Sequence, residues 1–176
     1  HGAVPPGTRD VVHVCGRCHV TQEEHFEAGT HRAHFEKLEK AACITCHGNH
    51  DILPATDALL GNASPGVCGQ CHQANDRCDQ ATKVMLGGIT KLTSGMNESE
   101  AVLSDAERLG MDVSEARYRL TDVRDRLTMA RVVVHRFRES EFGEVIEEGE
   151  KILSEIREDG DAALDEWQFR RKGLAL

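Results

Sequence analysis

Three cysteine pairs, each followed at once by a histidine, carry the chemistry of this chain: Cys15-Gly16-Arg17-Cys18-His19, Cys43-Ile44-Thr45-Cys46-His47 and Cys68-Gly69-Gln70-Cys71-His72. Two residues between thiols let both sulfurs reach one edge of a porphyrin and add across its two vinyl groups. The next residue then falls under the iron, where an imidazole serves as the proximal ligand. Cys-x-x-Cys-His is the attachment signature of a c-type haem. The sequence therefore predicts three haem c groups, held by thioethers from Cys15 and Cys18, Cys43 and Cys46, and Cys68 and Cys71. His19, His47 and His72 are the expected proximal iron ligands. Zinc ribbons also use Cys-x-x-Cys pairs but do not need a histidine after each one. With 10 histidines in 176 residues, three such coincidences would arise in roughly 2 of 10,000 chains. A thioredoxin-like redox pair expects one motif between a strand and a helix, not three in a chain with no convincing strand.

Each iron has a sixth position to fill. The methionines, at 85, 96, 111 and 129, all follow the motifs in a helical region. Bis-histidine ligation at low reduction potential is the expectation, since methionine ligation raises the potential. Seven histidines remain, at positions 1, 13, 25, 31, 34, 50 and 135. His31 shares a helical face with Phe35 and Leu38. His50 lies just beyond a proximal histidine and can serve a neighbouring haem. His135 sits among Val132, Val133, Val134 and Phe137, where an imidazole wants a partner. His31, His50 and His135 are thus the candidate distal ligands, with His13, His25 and His34 in reserve. The competing reading of His135 is a bundle histidine hydrogen-bonded to a nearby acid.

Haem is attached to such motifs outside the cytoplasmic membrane, so an exported, periplasmic protein is expected. Six of the seven cysteines are consumed by haem, leaving Cys78 as a buried thiol or an intermolecular disulfide. The net charge of −9 disfavours nucleic acid as a partner. It suits a basic patch on a redox partner protein. Aromatic residues make up only 4% of the chain, too few to fill an ordinary core over residues 1–75, where porphyrins would supply apolar volume instead.

The elements that must position these groups fall into two parts. Residues 1–75 read as a trihaem cytochrome c domain with little regular structure. Residues 1–14 are extended, with a turn at Pro5-Pro6-Gly7. Gln22 to Gly29 forms a helical turn or two, Thr30 to Lys40 a helix, and Asp57 to Gly66 a loop. From Asp76 a heptad seam appears: Met85, Ile89, Leu92, Met96, Ser99, Leu103 and Ala106, ending at Gly110. Asp112 to Glu115 resembles a capping box. A second seam runs through Ala116, Leu120, Val123, Leu127, Ala130, Val134 and Phe137. Gly143 interrupts, and a third seam carries Val145, Gly149, Ile152, Ile156, Ala163 and Trp167, with a kink at Glu158-Asp159-Gly160. Residues 76–176 read as an antiparallel three-helix coiled-coil bundle, and the whole chain as all-α. Heptads of this kind leave room for homo-oligomerisation through the bundle.

Residues 11–75 resemble exported multihaem cytochromes c with a Cys-His-Gly-x-His block, here Cys46-His47-Gly48-Asn49-His50, with His31 after the first motif and Val67-Cys68-Gly69-Gln70-Cys71-His72 closing the stretch. The resemblance implies that His31 and His50 are distal ligands. Many relatives carry a further distal histidine soon after the last motif. Here Asn75-Asp76-Arg77-Cys78 leads straight into the helices. The bundle is similar to one that follows such trihaem domains, on the strength of Gly110 to Ala116, Val134-His135-Arg136-Phe137 and Arg170-Arg171-Lys172-Gly173-Leu174. That likeness implies His135 as the third distal ligand. It also implies a membrane helix beyond the C-terminal basic cluster, and so association with a membrane or a membrane complex.

Electron transfer through three six-coordinate haems, without catalysis, is the leading expectation. One alternative is a haem-based reductase of a nitrogen or sulfur oxyanion, which needs an open iron position. The other is a sensor in which haem state alters the packing of the bundle.

Overall fold

The structure is a computed structural model and describes residue 7 and residues 10–173. Pro5, Pro6 and the apolar end at residues 174–176 lie outside the described residues. Among those described, every regular element is helical and no strand occurs. Four short helices come first: α1 (Val11–Gly16), α2 (Val20–Glu27), α3 (His31–Lys37) and α4 (Ala42–His47). Three long ones follow: α5 (Arg77–Arg108), α6 (Ser114–Val133) and α7 (Glu139–Gly173). Single 3₁₀ turns stand at Asp57–Leu59, Cys68–Gln70 and Val134–Arg136. No described helix is long and apolar enough to cross a membrane.

The expectation of an extended chain through residue 14 is corrected, because α1 begins at Val11. Val11 and Val12 are both buried, Val12 almost completely. Burial of these side chains outweighs the weak helix preference of β-branched residues.

Two compact units emerge. One gathers the chain up to Gly87 together with Arg131–Phe142; the other comprises Gly88–Ala130 and the chain from Gly143. The expected boundary between residues 75 and 76 follows the change from cysteine motifs to heptads. Compactness divides the chain differently, and it assigns the segment around His135 to the unit that holds the motifs.

In the second unit the apolar stripes are buried at heptad spacing. Ile89, Leu92, Leu103 and Ala106 line α5, and Ala116, Leu120, Val123, Leu127 and Ala130 line α6. Small residues permit close approach: a Cβ on Gly149 would meet the Leu92 side chain at 2.9 Å, and one on Gly160 would meet Val102 at 2.8 Å. Lys91 pairs with Glu150 at 2.7 Å and Arg157 with Glu98 at 2.9 Å, so partner numbers on α5 and α7 rise together. Arg126 pairs with Glu148 and Arg119 with Glu155 and Asp159, so numbers on α6 and α7 run oppositely. Arg117 reaches Ser104, Glu100 and Glu107, setting α6 against α5 in the register of a hairpin turning at Gly110.

Three local expectations are revised. Helix α6 stops at Val133 and does not carry its seam through Phe137. Phe137 takes a left-handed conformation, φ 51°, and the Arg136 carbonyl accepts the Thr30 N–H at 3.2 Å. The helix end is thus satisfied from another part of the chain. Helix α7 starts at Glu139 and runs unbroken past Gly143 and Gly160. Its register is set by the fully buried Phe142, so the seam is Phe142, Ile146, Gly149, Leu153, Ile156 and Gly160 in place of Val145 and Ile152. At the start of α6, Asp112 accepts the N–H of Ser114, a turn one residue earlier than a capping box.

Candidate functional site

Each motif is wound into a single helical turn, and the winding follows from local hydrogen bonds. The Cys18 and His19 N–H groups donate to the Cys15 carbonyl at 3.1 and 3.0 Å, and those of Cys71 and His72 to the Cys68 carbonyl at 3.1 and 2.9 Å. The second motif lies within α4. Residues three and four apart share a helix face, so in every motif both thiols and the imidazole project to one side. The first cysteine of each pair is half-buried and the second exposed, with none in a disulfide. The third motif is cradled by the preceding loop. Asn62 donates to the Gln73 carbonyl at 2.8 Å, and Gly69 lies so close to the Asn62 backbone that a Cβ would sit 2.2 Å from its carbonyl oxygen.

The thiols are grouped. Burial, with Cys15 close by, pushes the Cys43 thiol up to about 11. Desolvation by the surrounding chain, with Cys68 and Cys71 nearby, pushes Cys46 to about 11 as well although part of its surface is exposed. Burial and a hydrogen-bonded Cys68 raise Cys78 to about 12, a protonated thiol at neutral pH.

Two histidine pairs bring distant parts of the chain together. His72 of the third motif faces His31 of α3, ring centres 6.2 Å apart and planes at 83°. His47 of the second motif faces His135, ring centres 6.1 Å apart and planes at 21°. Two metal–nitrogen bonds of about 2 Å, plus the reach from each nitrogen to its ring centre, put trans imidazole centroids about 6 Å apart. The centroid spacing of both pairs matches that span. Ring orientation is fixed from behind in each case. His135 Nδ1 donates to the Val132 carbonyl at 2.9 Å, and His72 Nδ1 to Asp76 Oδ2 at 3.3 Å. Such outer hydrogen bonds leave Nε2 as the free ring nitrogen, the one that could take a metal. Desolvation lowers the pKa of His31, helped by His72 and then His34, and that of His47, helped by His19. Desolvation also lowers that of His135 against the raising effect of the Val132 carbonyl. All three therefore favour the neutral imidazole, the form that binds a metal.

The turn Val134–Arg136 serves both pairs. His135 enters one, and Phe137 lies edge-on to His31 at 4.4 Å in the other. Phe35 flanks His31 at 5.5 Å and is itself in edge contact with Phe26 at 5.7 Å. Gly29 allows the turn to sit down: a Cβ there would meet the His135 carbonyl oxygen at 2.9 Å and the Arg136 Cα at 3.1 Å. Arg138 donates to the Ala28 carbonyl at 3.2 Å, and Arg131 makes a two-pronged contact with Asp57, both arms 2.8 Å.

The remaining histidines are placed otherwise. His19 and His50 are exposed, and neither side chain has a ring or hydrogen-bond contact among the described residues, although His19 lies in the electrostatic neighbourhood of His47 and His135. His13 Nδ1 donates to Glu23 at 2.5 Å. His25 Nδ1 is buried without a hydrogen-bond partner among the described residues, in the electrostatic neighbourhood of His135. His34 is exposed near His31. Sequence reasoning overlooked Phe137, taken for a seam residue, and Asp76, taken for the start of a helix. Asp76 stands four residues after His72, a spacing that a helical turn brings into contact; that was the available signal.

No family model, curated protein or solved structure matches the chain. The donor set fits iron porphyrin ligation: paired thiols on one side of each turn, an imidazole beside them, and two such imidazoles faced by a second one at metal-spanning distance.

Proposed function

We propose that this protein is an exported three-haem cytochrome c that transfers electrons between partner proteins. The observation that carries the proposal is the pair of facing histidines, His31 with His72 and His47 with His135. In each, one member comes from a Cys-x-x-Cys-His motif and the other from a segment distant in sequence. Bound haem c supplies a one-electron iron couple.

In this reading the chain itself does three things. Cys15, Cys18, Cys43, Cys46, Cys68 and Cys71 fix the porphyrins covalently. His19, His47 and His72 take the proximal iron positions, and His31 and His135 close the third and second sites, with His50 assigned to the first. Phe26, Phe35 and Phe137 keep water from the His31 side. Six-coordination leaves no position for substrate, which favours electron transfer over an oxyanion reductase. Helices α5 to α7 form the antiparallel three-helix coiled coil. It serves as a stalk, joined to a membrane or membrane complex through the C-terminal basic cluster Arg170-Arg171-Lys172, with homo-oligomers as a further use of its surface.

The test is direct. The chain, produced in a host with an export and haem-attachment system, should carry three covalent haems by intact mass and give a low-spin spectrum. His135→Ala should turn one haem of the three high-spin and open it to cyanide. A chain exported intact without covalent haem would overturn the proposal. Wild-type spectra showing a high-spin haem that binds nitrite would favour the reductase.

A further inference from the structure

We propose that Asp76 is a positioning residue that holds the His72 ring and makes the third iron site the lowest in potential of the three, an inference that rests on the proposed haem ligation. The carboxylate is shared between two tasks. Its Oδ2 accepts from His72 Nδ1 at 3.3 Å and from the Gln73 N–H at 3.1 Å. Its Oδ1 accepts from the Asp79 N–H at 2.9 Å and so caps the first turn of α5. The Gln80 N–H donates to the Asp76 carbonyl at 3.1 Å, which fixes Asp76 as the residue from which the helix starts. Asp79 in turn accepts from the Asn75 N–H at 2.7 Å and pairs with Lys83 at 2.8 Å. The anion behind His72 is therefore anchored at both oxygens, and the loop and helix that carry it are anchored too.

The chemistry gives the anchoring a direction. A carboxylate behind Nδ1 makes the imidazole a stronger donor through Nε2 and stabilises the more highly charged ferric ion, which lowers the potential. The other sites lack this support. The ring behind His135 meets a neutral carbonyl. Among the described residues, no hydrogen bond reaches the rings of His19 or His47. Cys78 Sγ lies within 4.8 Å of the ligand atoms of both His72 and Asp76. The three motifs are thus chemically equivalent in sequence and unequal in surroundings.

Potentiometric titration of the holoprotein tests this. Asp76→Asn keeps an oxygen able to cap the helix and puts an amide NH2 where Oδ2 stood, so both the charge and the acceptor behind the ring are removed. One of the three midpoint potentials should rise, by about 59 mV for a tenfold weaker preference for ferric iron. The melting temperature and the low-spin spectrum should hold. Asp79→Asn removes an equal charge one helical turn away without touching the ring, and should move no single potential by that amount. Three attached haems with all potentials unmoved in Asp76→Asn, or an equal shift in Asp79→Asn, would overturn the inference and leave the cytochrome reading standing. A wild-type chain without haem would overturn both.

Discussion

His135 and His72 show what a single hydrogen bond decides. An imidazole has two nitrogens, and a metal takes whichever one the protein has not already engaged. The Val132 carbonyl and the Asp76 carboxylate engage Nδ1 in the two cases, so the same chain prepares Nε2 twice with partners of different charge. At this scale the Arg131–Asp57 contact makes a separate prediction. The hydrogen-bonded guanidinium holds the Asp57 carboxyl below its ordinary value. Its folded pKa is lower than its unfolded one, so the pair stabilises the fold above about pH 4, and that stability is lost as pH falls through the lowered value. The side chains are partly exposed, so the contribution is about 1 kcal/mol or less. Arg131→Ala should lower stability by that amount at pH 7 in chemical denaturation, with the difference from wild type vanishing toward pH 2. A difference that stays constant across this range would contradict the assignment.

Among elements, the turn Val134–Arg136 departs most from the heptad pattern that precedes it. Val134 and Phe137 continue the α6 spacing without fault, and nothing local says stop: no glycine or proline stands there. The helix ends because Thr30 and Arg138 tie the turn to the α2–α3 segment, a tertiary cause invisible to periodicity. The third helix was misregistered for the opposite reason. Gly143 reads as a break, yet α7 passes through it, and Phe142, on its N-terminal side, sets the buried face. The cysteine motifs, the helical class, the α5 seam and the α6 seam as far as Ala130 were legible because they depend on residues close in sequence. His31 and His135 were legible as candidates, but which motif histidine each would face was not, because a ring pair closed between residues far apart in sequence leaves no local spacing to read. Gly29 provides the element-scale test. Gly29→Ala places a methyl against the backbone of the turn, where neither side can yield as a flexible side chain would. It should destabilise the protein by about 1–3 kcal/mol and weaken the low-spin signature of one haem, whereas Gly87→Ala, whose Cβ meets nothing, should do neither. Equal effects from both would remove the turn from the site.

For the molecule as a whole, the division into units matters more than the division by motif. Arg131–Phe142 belongs with the chain up to Gly87, although most of α5 and α6 lies between them in sequence. This imposes an order on how the protein comes into being. In the proposed cytochrome all six motif cysteines precede His135 in the chain, so thioether chemistry could finish while the second site still lacked its far ligand. Maturation would then have a waiting period, ended only when residues 131–142 had folded back. A chain stopped after Ala130 should retain three covalent haems by mass but hold one of them high-spin and reactive toward cyanide or peroxide. A fully low-spin spectrum in that truncation would show that another histidine takes the position. If the waiting period is real, the late arrival of residues 131–142 guards an iron that is, until then, the exposed and oxidisable part of an unfinished protein.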